Sequence, residues 1–380
     1  MNRRAILIVG PHRSGTSVVT RALCGAGVEL GRTLLESNSD NPKGFFENAR
    51  VVAFNDRLLK HLGMCWDYLG PGPQEAPGGP AIEPWLDEAQ TLLDEEFGSA
   101  GCIGVKDPRL CLLAPFWDLA LQRHGFQLAH VLVIRHPEEC ARSQQARWQR
   151  DPSHHFVGGD LAEGMLLWGR YLHEALTYLR DKSFAVASHC RFLADPEQAQ
   201  RQLCQALGLS ADPDAAADFG RAFVDRALHR QRRDLVHEDG PQAGAYERIY
   251  DRLNAVRGDR LYSGQECGDI ISALSELLGP AELLGAVLRT YARARHAAVE
   301  ANLELAEAKR ILAYQESALA AAERRAADVE QRAEAAKILF AQERAKCERL
   351  SLELAALTDR AEQLRTERRQ AGGQNPEKSS

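Results

Sequence analysis

The sequence predicts an α/β fold: a three-layer domain with a central parallel sheet, followed by a long C-terminal helix. Two observations predict the sheet domain, namely short runs of consecutive apolar residues and helical stretches that alternate with them. A third observation predicts the long helix, because the chain has neither glycine nor proline from Ala286 to Ala371.

Four apolar runs are the predicted strands. Their apolar residues are consecutive rather than alternating, which is typical of strands covered by helices on both faces. Because helical patterns lie between them, we expect the strands to be parallel. The strands are predicted at 5–9, 102–105, 130–134 and 184–187, and the helices include 17–25, 49–62, 115–124, 138–150 and 161–180.

Composition divides the chain into a domain, a coil and a tail. We expect an α/β domain over residues 1–285, with a core at about 5–210 and a helical extension at about 211–285. A stretch rich in glycine and proline at 70–84 should form a surface insertion. The last residues, 372–380, should be a disordered tail.

The segment 286–371 shows a seven-residue repeat, which indicates a coiled coil. It should associate with a second copy or with a helical partner protein. A single solvated helix is the alternative, because many core positions are alanine or polar. The last turns, 350–364, are the most apolar. The repeat runs through Leu305, Leu312, Leu319, Ala326, Ala333, Phe340, Cys347, Leu354 and Ala361, and its partner positions are Ala308, Gln315, Ala322, Val329, Ala336, Glu343, Leu350, Leu357 and Leu364.

Charge, cysteine content and hydropathy exclude several classes of protein. A net charge of −6 argues against a general binder of nucleic acid or of anionic membranes. The nine cysteines are scattered without a C-x-x-C pair, which indicates reduced thiols and no metal site. No stretch approaches the roughly 20 apolar residues of a membrane span. We therefore expect a cytoplasmic protein.

The first predicted strand ends in a glycine-bearing turn, GPHRSGTS, that opens a helix. Its two glycines have the spacing of the phosphate-binding loop G-x-x-x-x-G-K-[ST], but Thr16 stands where that loop has its lysine. The missing lysine argues against ATP hydrolysis and phosphoryl transfer. The backbone amides from Ser14 to Ser17 can still converge on an anion at the helix N-terminus, and Arg13 can add a bidentate contact.

This turn resembles the 5′-phosphosulfate-binding loop of sulfotransferases, which use 3′-phosphoadenosine 5′-phosphosulfate (PAPS). The family loop reads P-[KR]-S-G-[TS]-[TS], and this chain adds one residue to it, His12. A second element is similar to the family's 3′-phosphate site: Arg135 ends a predicted strand, and Ser143 follows eight residues later in a helix. The resemblance implies these cofactor-binding residues: Pro11, His12, Arg13, Ser14, Gly15, Thr16, Ser17, Arg135 and Ser143.

A third segment, 192–209, is similar to the part of the family that follows the last core strand. Asp195 and Pro196 there also predict a helix start, as N-cap and first helical residue. This chain departs from the family just before it, where Ser188-His189-Cys190-Arg191 replaces Tyr-Glu-Asp. The three resemblances together cover about residues 5–210. They imply a PAPS co-substrate with no metal requirement, and an acceptor hydroxyl or amine, with a saccharide or glycoconjugate preferred.

Two segments supply candidate catalytic residues beside Arg13, which would stabilise the leaving phosphate. Glu47 in FFEN resembles the acidic residue of the FEP and GEE segments of carbohydrate and tyrosylprotein sulfotransferases. As a base it would have a pKa raised by the two phenylalanines; the alternative is a first-turn residue that favours the helix dipole. Lys106 in GVKDPRL resembles the lysine of the Lys-x-His stretch of cytosolic sulfotransferases. Asp107 is a second candidate base, although an ion-pair role fits it better.

Weaker candidates and other functions complete the prediction. A basic run near 226–235 could close over the 3′-phosphate or form a solvated helix face. A divergent P-loop nucleotide kinase and a non-catalytic coiled-coil scaffold are the alternative functions. The weaker residues are His61, His154 and His155 as bases, and Arg230, Arg232 and Arg233 as phosphate contacts.

Overall fold

A five-stranded sheet organises the first part of the chain and confirms the predicted α/β fold. In a computed structural model, which describes residues 3–37, 43–70, 79–150, 157–210, 219–220, 241–283 and 285–371, the strand order is β2-β1-β3-β4-β5. All four predicted strands are present and pair in parallel. The strands are β1 Arg4–Val9, β2 Cys102–Lys106, β3 Gln127–Ile134, β4 Ser183–Ser188 and β5 Tyr262–Ser263.

The fifth strand was not predicted. It has only two residues and pairs antiparallel with the start of β4, where Tyr262 lies opposite Phe184. The backbone amide of Gly264 extends the pairing by donating to Lys182 O at 2.9 Å. A strand this short has no periodicity for a sequence pattern to detect.

Helices connect the strands and follow the predicted order. The predicted helices at 17–25, 49–62, 138–150 and 161–180 are present within a residue or two of their expected ends. The helices are α1 Thr16–Cys24, α2 Ala49–His61, α3 Glu83–Phe97, α4 Leu110–Arg123, α5 Pro137–Arg150, α6 Leu161–Leu179, α7 His189–Ala194, α8 Pro196–Leu207, α9 Pro241–Asn254, α10 Gly268–Leu283 and α11 Gly285–Ala371.

Two helices differ from the prediction. The helix expected from 115 begins at Leu110, with Pro115 inside it. Residues 110–114 are all buried, so packing outweighs the preference of proline for a helix start. Helix α3 was not singled out, and it begins inside the insertion predicted at 70–84, with the buried Ile82 as its N-cap residue. Residues 71–78 of that insertion lie outside the described residues.

The sheet is covered on both faces, which confirms the three layers. Along β1, Leu7 packs into one apolar core and Ile8 into the other. The larger core lies against α2, α3, α4 and α6, and the smaller one against α1 and α8. Consecutive apolar residues in β1 are thus each buried, and each isoleucine, leucine or valine among them contributes about 1.5–3 kcal/mol to folding.

The chain divides into two compact units, residues 1–299 and 300–380. The described residues of the second unit, 300–371, are helical throughout. Large apolar residues of the seven-residue repeat, including Leu305, Leu312 and Leu319, are exposed on this helix. The coiled coil stays a prediction, and the tail at 372–380 lies outside the described residues. No helix in the part of the chain that the structure describes is long and apolar enough to cross a membrane.

Candidate functional site

The candidate site lies at the carboxyl ends of the first four strands. The neighbours of β1 are β2 on one side and β3 on the other, so the connections leave β1 in both directions and open a crevice there. The GPHRSGTS loop follows β1 and opens α1. Lys106 ends β2, Arg135 follows β3, and His189 follows β4. The topology thus brings the loop, Lys106 and Arg135, all predicted from the sequence, to one edge of the sheet together with His189, which was not predicted.

The loop has a fixed shape because its backbone is crowded by neighbours. Gly15, the N-cap of α1, has φ +90°, and a Cβ there would overlap the ring of His189. Gly10 is equally enclosed, since a Cβ would stand 2.6 Å from Val133 O. Arg13 has φ 65°, a left-handed conformation that costs a non-glycine residue about 1–2 kcal/mol. Such strain persists only where the surroundings determine the conformation.

The loop keeps hydrogen-bond donors for an anion, although fewer than expected. The amide of Ser14 donates to Pro11 O at 3.2 Å, so it does not join the converging amides. The amides of Gly15 and Thr16 have no acceptor among the described residues. The Ser14 hydroxyl is fully buried and has no hydrogen-bond partner in the same described part of the chain. Because buried polar groups are normally paired, these donors fit an anion at the N-terminus of α1.

Three predicted phosphate contacts meet beside the loop. Arg13 Nε donates to Ser143 Oγ at 2.9 Å, and Arg135 donates from its guanidinium to Arg13 O at 3.1 Å. Arg135 also donates to Glu139 at 2.9 Å, and both of these side chains are largely buried. Pro137 begins α5, as expected, and Ser143 lies in the middle of this helix. The eight-residue spacing therefore lets Arg135 and Ser143 contact the same residue, Arg13.

Two catalytic candidates form a buried ion pair on the other side of the loop. Lys106 Nζ donates to Glu47 Oε1 at 2.5 Å, and their side chains are 2% and 8% exposed. The same ammonium donates to Phe45 O at 2.9 Å and to Ser17 Oγ at 3.2 Å. Ser17 Oγ in turn donates to Phe45 O at 3.0 Å. The structure thus joins Glu47 and Lys106 to the loop through Ser17.

Glu47 has the environment expected of a base. Burial raises the pKa of its carboxyl above the usual range, and the Asp107 carboxylate adds to the rise, while Lys106 offsets part of it. Glu47 precedes Asn48, the N-cap of α2, and the first turn of that helix holds no acidic residue. The alternative role, as a first-turn residue that favours the helix dipole, is therefore wrong.

Asp107 is held as an ion-pair residue. Its buried carboxylate accepts from Asn55 Nδ2 at 2.9 Å and from the backbone amide and guanidinium of Arg109, at 2.9 and 3.0 Å. Arg109 also pairs with Asp56, and Trp117 donates to Asn55. With its oxygens engaged in this way, Asp107 supports the end of β2 and contributes charge to the pKa of Glu47.

His12 packs into an aromatic cluster. Its ring contacts those of Trp66 and Tyr171, with centroids 4.8 and 4.9 Å apart, and Nε2 lies 3.2 Å from the Tyr171 hydroxyl. Burial lowers the pKa of this imidazole well below the usual range, and the cations Arg109 and Arg147 lower it further. The residue that lengthens the loop is thus a neutral ring that anchors it.

His189 is the site residue that the sequence analysis did not select. Its only signal was the departure of residues 188–191 from the family pattern.

Of the three weaker candidate bases, the structure describes only His61. The centroid of its ring lies 5.3 Å from that of Trp85, near the end of α2. No group of three or more residues suited to hold a metal occurs among the described residues. Outside the described residues lie His154, His155, Arg230, Arg232 and Arg233.

Comparison with known proteins gives one structural likeness. No protein-family model and no curated protein matches the chain. Among solved structures, the chain is similar to the sulfotransferase domain from the Synechococcus PCC 7002 olefin synthase, at 15% identity and a TM-score of 0.35. The likeness covers 73% of this chain and 94% of that one.

Proposed function

We propose that the chain is a PAPS-dependent sulfotransferase that moves a sulfuryl group to an acceptor hydroxyl or amine, with a saccharide or glycoconjugate as the first acceptor class to test. The observation that supports this most strongly is the contact of the Lys106 ammonium with Ser17 Oγ, at 3.2 Å, in a phosphate loop without its own lysine. The loop, the guanidiniums and the buried Glu47 then have distinct roles.

The residues present fit the donor nucleotide. The amides of Gly15 and Thr16 and the buried hydroxyl of Ser14 would hold the 5′-phosphosulfate, since they have no acceptor within the described residues. Arg135 and Ser143, which meet at Arg13, would hold the 3′-phosphate through charge-assisted hydrogen bonds. When bound, PAPS supplies the electrophilic sulfuryl group and a phosphate leaving group.

Lys106 supports a reaction without a metal ion. In nucleoside triphosphatases the hydroxyl that follows the loop lysine holds magnesium. The corresponding hydroxyl here, Ser17 Oγ, has the Lys106 ammonium as its neighbour. An ammonium and the Arg13 guanidinium would stabilise the charge that develops on the leaving phosphate. This arrangement favours sulfuryl transfer over the divergent kinase.

Glu47 is the proposed base. Its carboxylate is held toward the loop by Lys106, and its raised pKa makes it a stronger proton acceptor than a solvated glutamate. It would take the proton of the acceptor hydroxyl as that oxygen attacks, which requires the hydroxyl to lie within about 3 Å of the carboxylate. The burial of this pair also keeps water from competing with the acceptor.

The test is a transfer assay with radiolabelled PAPS and a panel of saccharide, glycoconjugate, phenolic and amine acceptors. Arg13→Ala should lower transfer by about a hundredfold, the effect of losing roughly 3 kcal/mol of charge stabilisation. Arg142→Ala is the matched control, because Arg142 lies beside Ser143 on α5 but pairs with Glu138. Titration calorimetry should show binding of adenosine 3′,5′-bisphosphate in preference to Mg-ATP. Preference for Mg-ATP would refute the proposal, and nucleotide binding without any transfer would favour the scaffold.

A further inference from the structure

We propose that Glu96, on α3, is a positioning residue that holds Glu47 against Lys106 through Asn48 and the segment 31–35. Glu96 touches neither of the two catalytic candidates, and nothing in its sequence context marks it. The inference rests on the proposed function, in which Glu47 is the base.

Glu96 is a buried carboxylate surrounded by donors. It is 4% exposed and accepts five hydrogen bonds. Oε2 accepts from the amides of Arg32 and Thr33, at 3.0 and 2.9 Å, and from Asn48 Nδ2 at 2.7 Å. Oε1 accepts from the Thr33 hydroxyl at 3.0 Å and from the Arg50 guanidinium at 3.4 Å. One carboxylate therefore joins the 31–33 turn to the start of α2.

These contacts reach Glu47 by two short routes. The first is covalent: Asn48 follows Glu47, caps α2 with Oδ1 and donates from Nδ2 to Glu96. The second is a small antiparallel bridge, in which Leu35 N donates to Glu47 O at 2.9 Å and Ala49 N donates to Thr33 O at 2.8 Å. The backbone of Glu47 is thus fixed by Asn48 and by the segment 31–35, and Glu96 accepts hydrogen bonds from both.

The local backbone needs this support. Phe46, just before Glu47, has φ 55°, which a bulky residue adopts only where its surroundings impose it. Gly31 has φ +87°, and a Cβ there would stand 2.5 Å from Asn48 Nδ2 and 3.2 Å from Glu96 Oε2. The three groups fit together only with glycine at position 31, so the cluster tolerates little displacement.

The charge of Glu96 is part of its role. Burial raises the pKa of this carboxyl, but hydrogen bonds from Asn48 and Thr33 outweigh it, so the pKa lies below the usual range. The ionised form can accept from all of its donors at once. A glutamine would place an NH₂ group against some of those donors, and leaving a buried donor without its acceptor is costly.

The test compares Glu96→Gln with Glu95→Gln in the full chain. Glu95 is the matched control, because it neighbours Glu96 on α3 and pairs with Arg50 but is half exposed. Glu96→Gln should lower kcat by about 10- to 100-fold, since small displacements of reacting groups have effects of this size. The affinity for adenosine 3′,5′-bisphosphate should stay within about twofold, and Glu95→Gln should match wild type.

If Glu96 acts only by positioning Glu47, the effects of substituting the two residues should not be additive. In a Glu47→Gln background, Glu96→Gln should lower kcat no further, because the group it positions is already gone. If the double variant instead loses kcat by the product of the two single losses, the inference is wrong. Thr33→Val removes one donor to Glu96 and should give a smaller loss of kcat, so it replaces Glu96→Gln if that variant does not fold.

A structural readout separates this inference from the proposed function. If wild type transfers no sulfuryl group, the proposed function fails, and crystal structures of wild type and Glu96→Gln then decide the positioning role. The Glu47 Oε1 to Lys106 Nζ separation, 2.5 Å here, should lengthen beyond hydrogen-bond distance in the variant. An unchanged separation would overturn the inference whatever the activity.

Discussion

Replacing Gly15 by alanine tests the contact between the loop and His189. Gly15 has φ +90°, where a side chain costs about 1–2 kcal/mol. Its Cβ would also overlap Cδ2 of His189 and stand 3.1 Å from Cγ and 3.3 Å from Nε2, so the ring or the loop must move. Overpacking of this kind costs about 1–3 kcal/mol more. We expect the free energy of unfolding to fall by about 2–5 kcal/mol in total.

Gly27→Ala is the matched control. Gly27 has a similar φ of +81°, but nothing lies within 4 Å of an added Cβ. It should therefore show only the backbone cost, about 1–2 kcal/mol. In the double variant Gly15→Ala/His189→Ala the ring is absent. Relative to His189→Ala, the added cost of Gly15→Ala should fall to that of the control.

Urea denaturation measures the stabilities, and calorimetry measures binding of adenosine 3′,5′-bisphosphate. Because Gly15 and Thr16 supply loop amides, Gly15→Ala should weaken binding by about tenfold or more, the equivalent of one hydrogen bond to a charged group. Gly27→Ala should bind as wild type does. Equal stability of the two alanine variants would refute the packing of His189 on Gly15, and so would a double variant with no recovery.

Three further outcomes are expected. If Glu47 is the base, kcat should fall as the pH decreases through the pKa of its carboxyl, which burial raises above the usual glutamate value of about 4.3. Glu47→Gln should abolish this acidic limb of the pH profile and lower kcat by about 10²–10⁴. Ser143→Ala should weaken the binding of adenosine 3′,5′-bisphosphate by about tenfold in calorimetry, while the affinity for adenosine 5′-phosphate should not change. In sedimentation the full chain should be an oligomer, and Leu350→Glu with Leu357→Glu should shift it toward the monomer.

Each of these three predictions has an outcome that would contradict it. A pH profile with no acidic limb in wild type would place the base elsewhere. Equal loss of both nucleotides in Ser143→Ala would mean that Ser143 supports the loop through Arg13 rather than binding the 3′-phosphate. For the coil, Leu352→Glu is the matched control, because Leu352 is exposed but lies outside the seven-residue repeat. An unchanged sedimentation coefficient in the double variant would argue for a single solvated helix.

The strands and the loop could be predicted because their signals are local. A buried parallel strand shows as consecutive apolar residues, and all four such runs became strands. The pairing of Arg135 with Ser143 was implied by the family resemblance, and helical periodicity agrees with it, because it fixes which residues of α5 face the strand end. Errors arose where packing outweighed local preference, as at Pro115 inside α4, or where an element was too short to leave a pattern, as at β5.

The sequence by itself determined the α/β layers, the lysine-less loop and the residues whose chemistry suits an anion. The tertiary structure decided which of them act together. Glu47 meets Lys106 across 59 residues, and His189 packs on Gly15, which lies far before it along the chain. Glu96 accepts hydrogen bonds from Arg32, Thr33 and Asn48, all distant from it in sequence. Such pairs depend on strand order and on the path of the connections, and residue spacing carries no record of either.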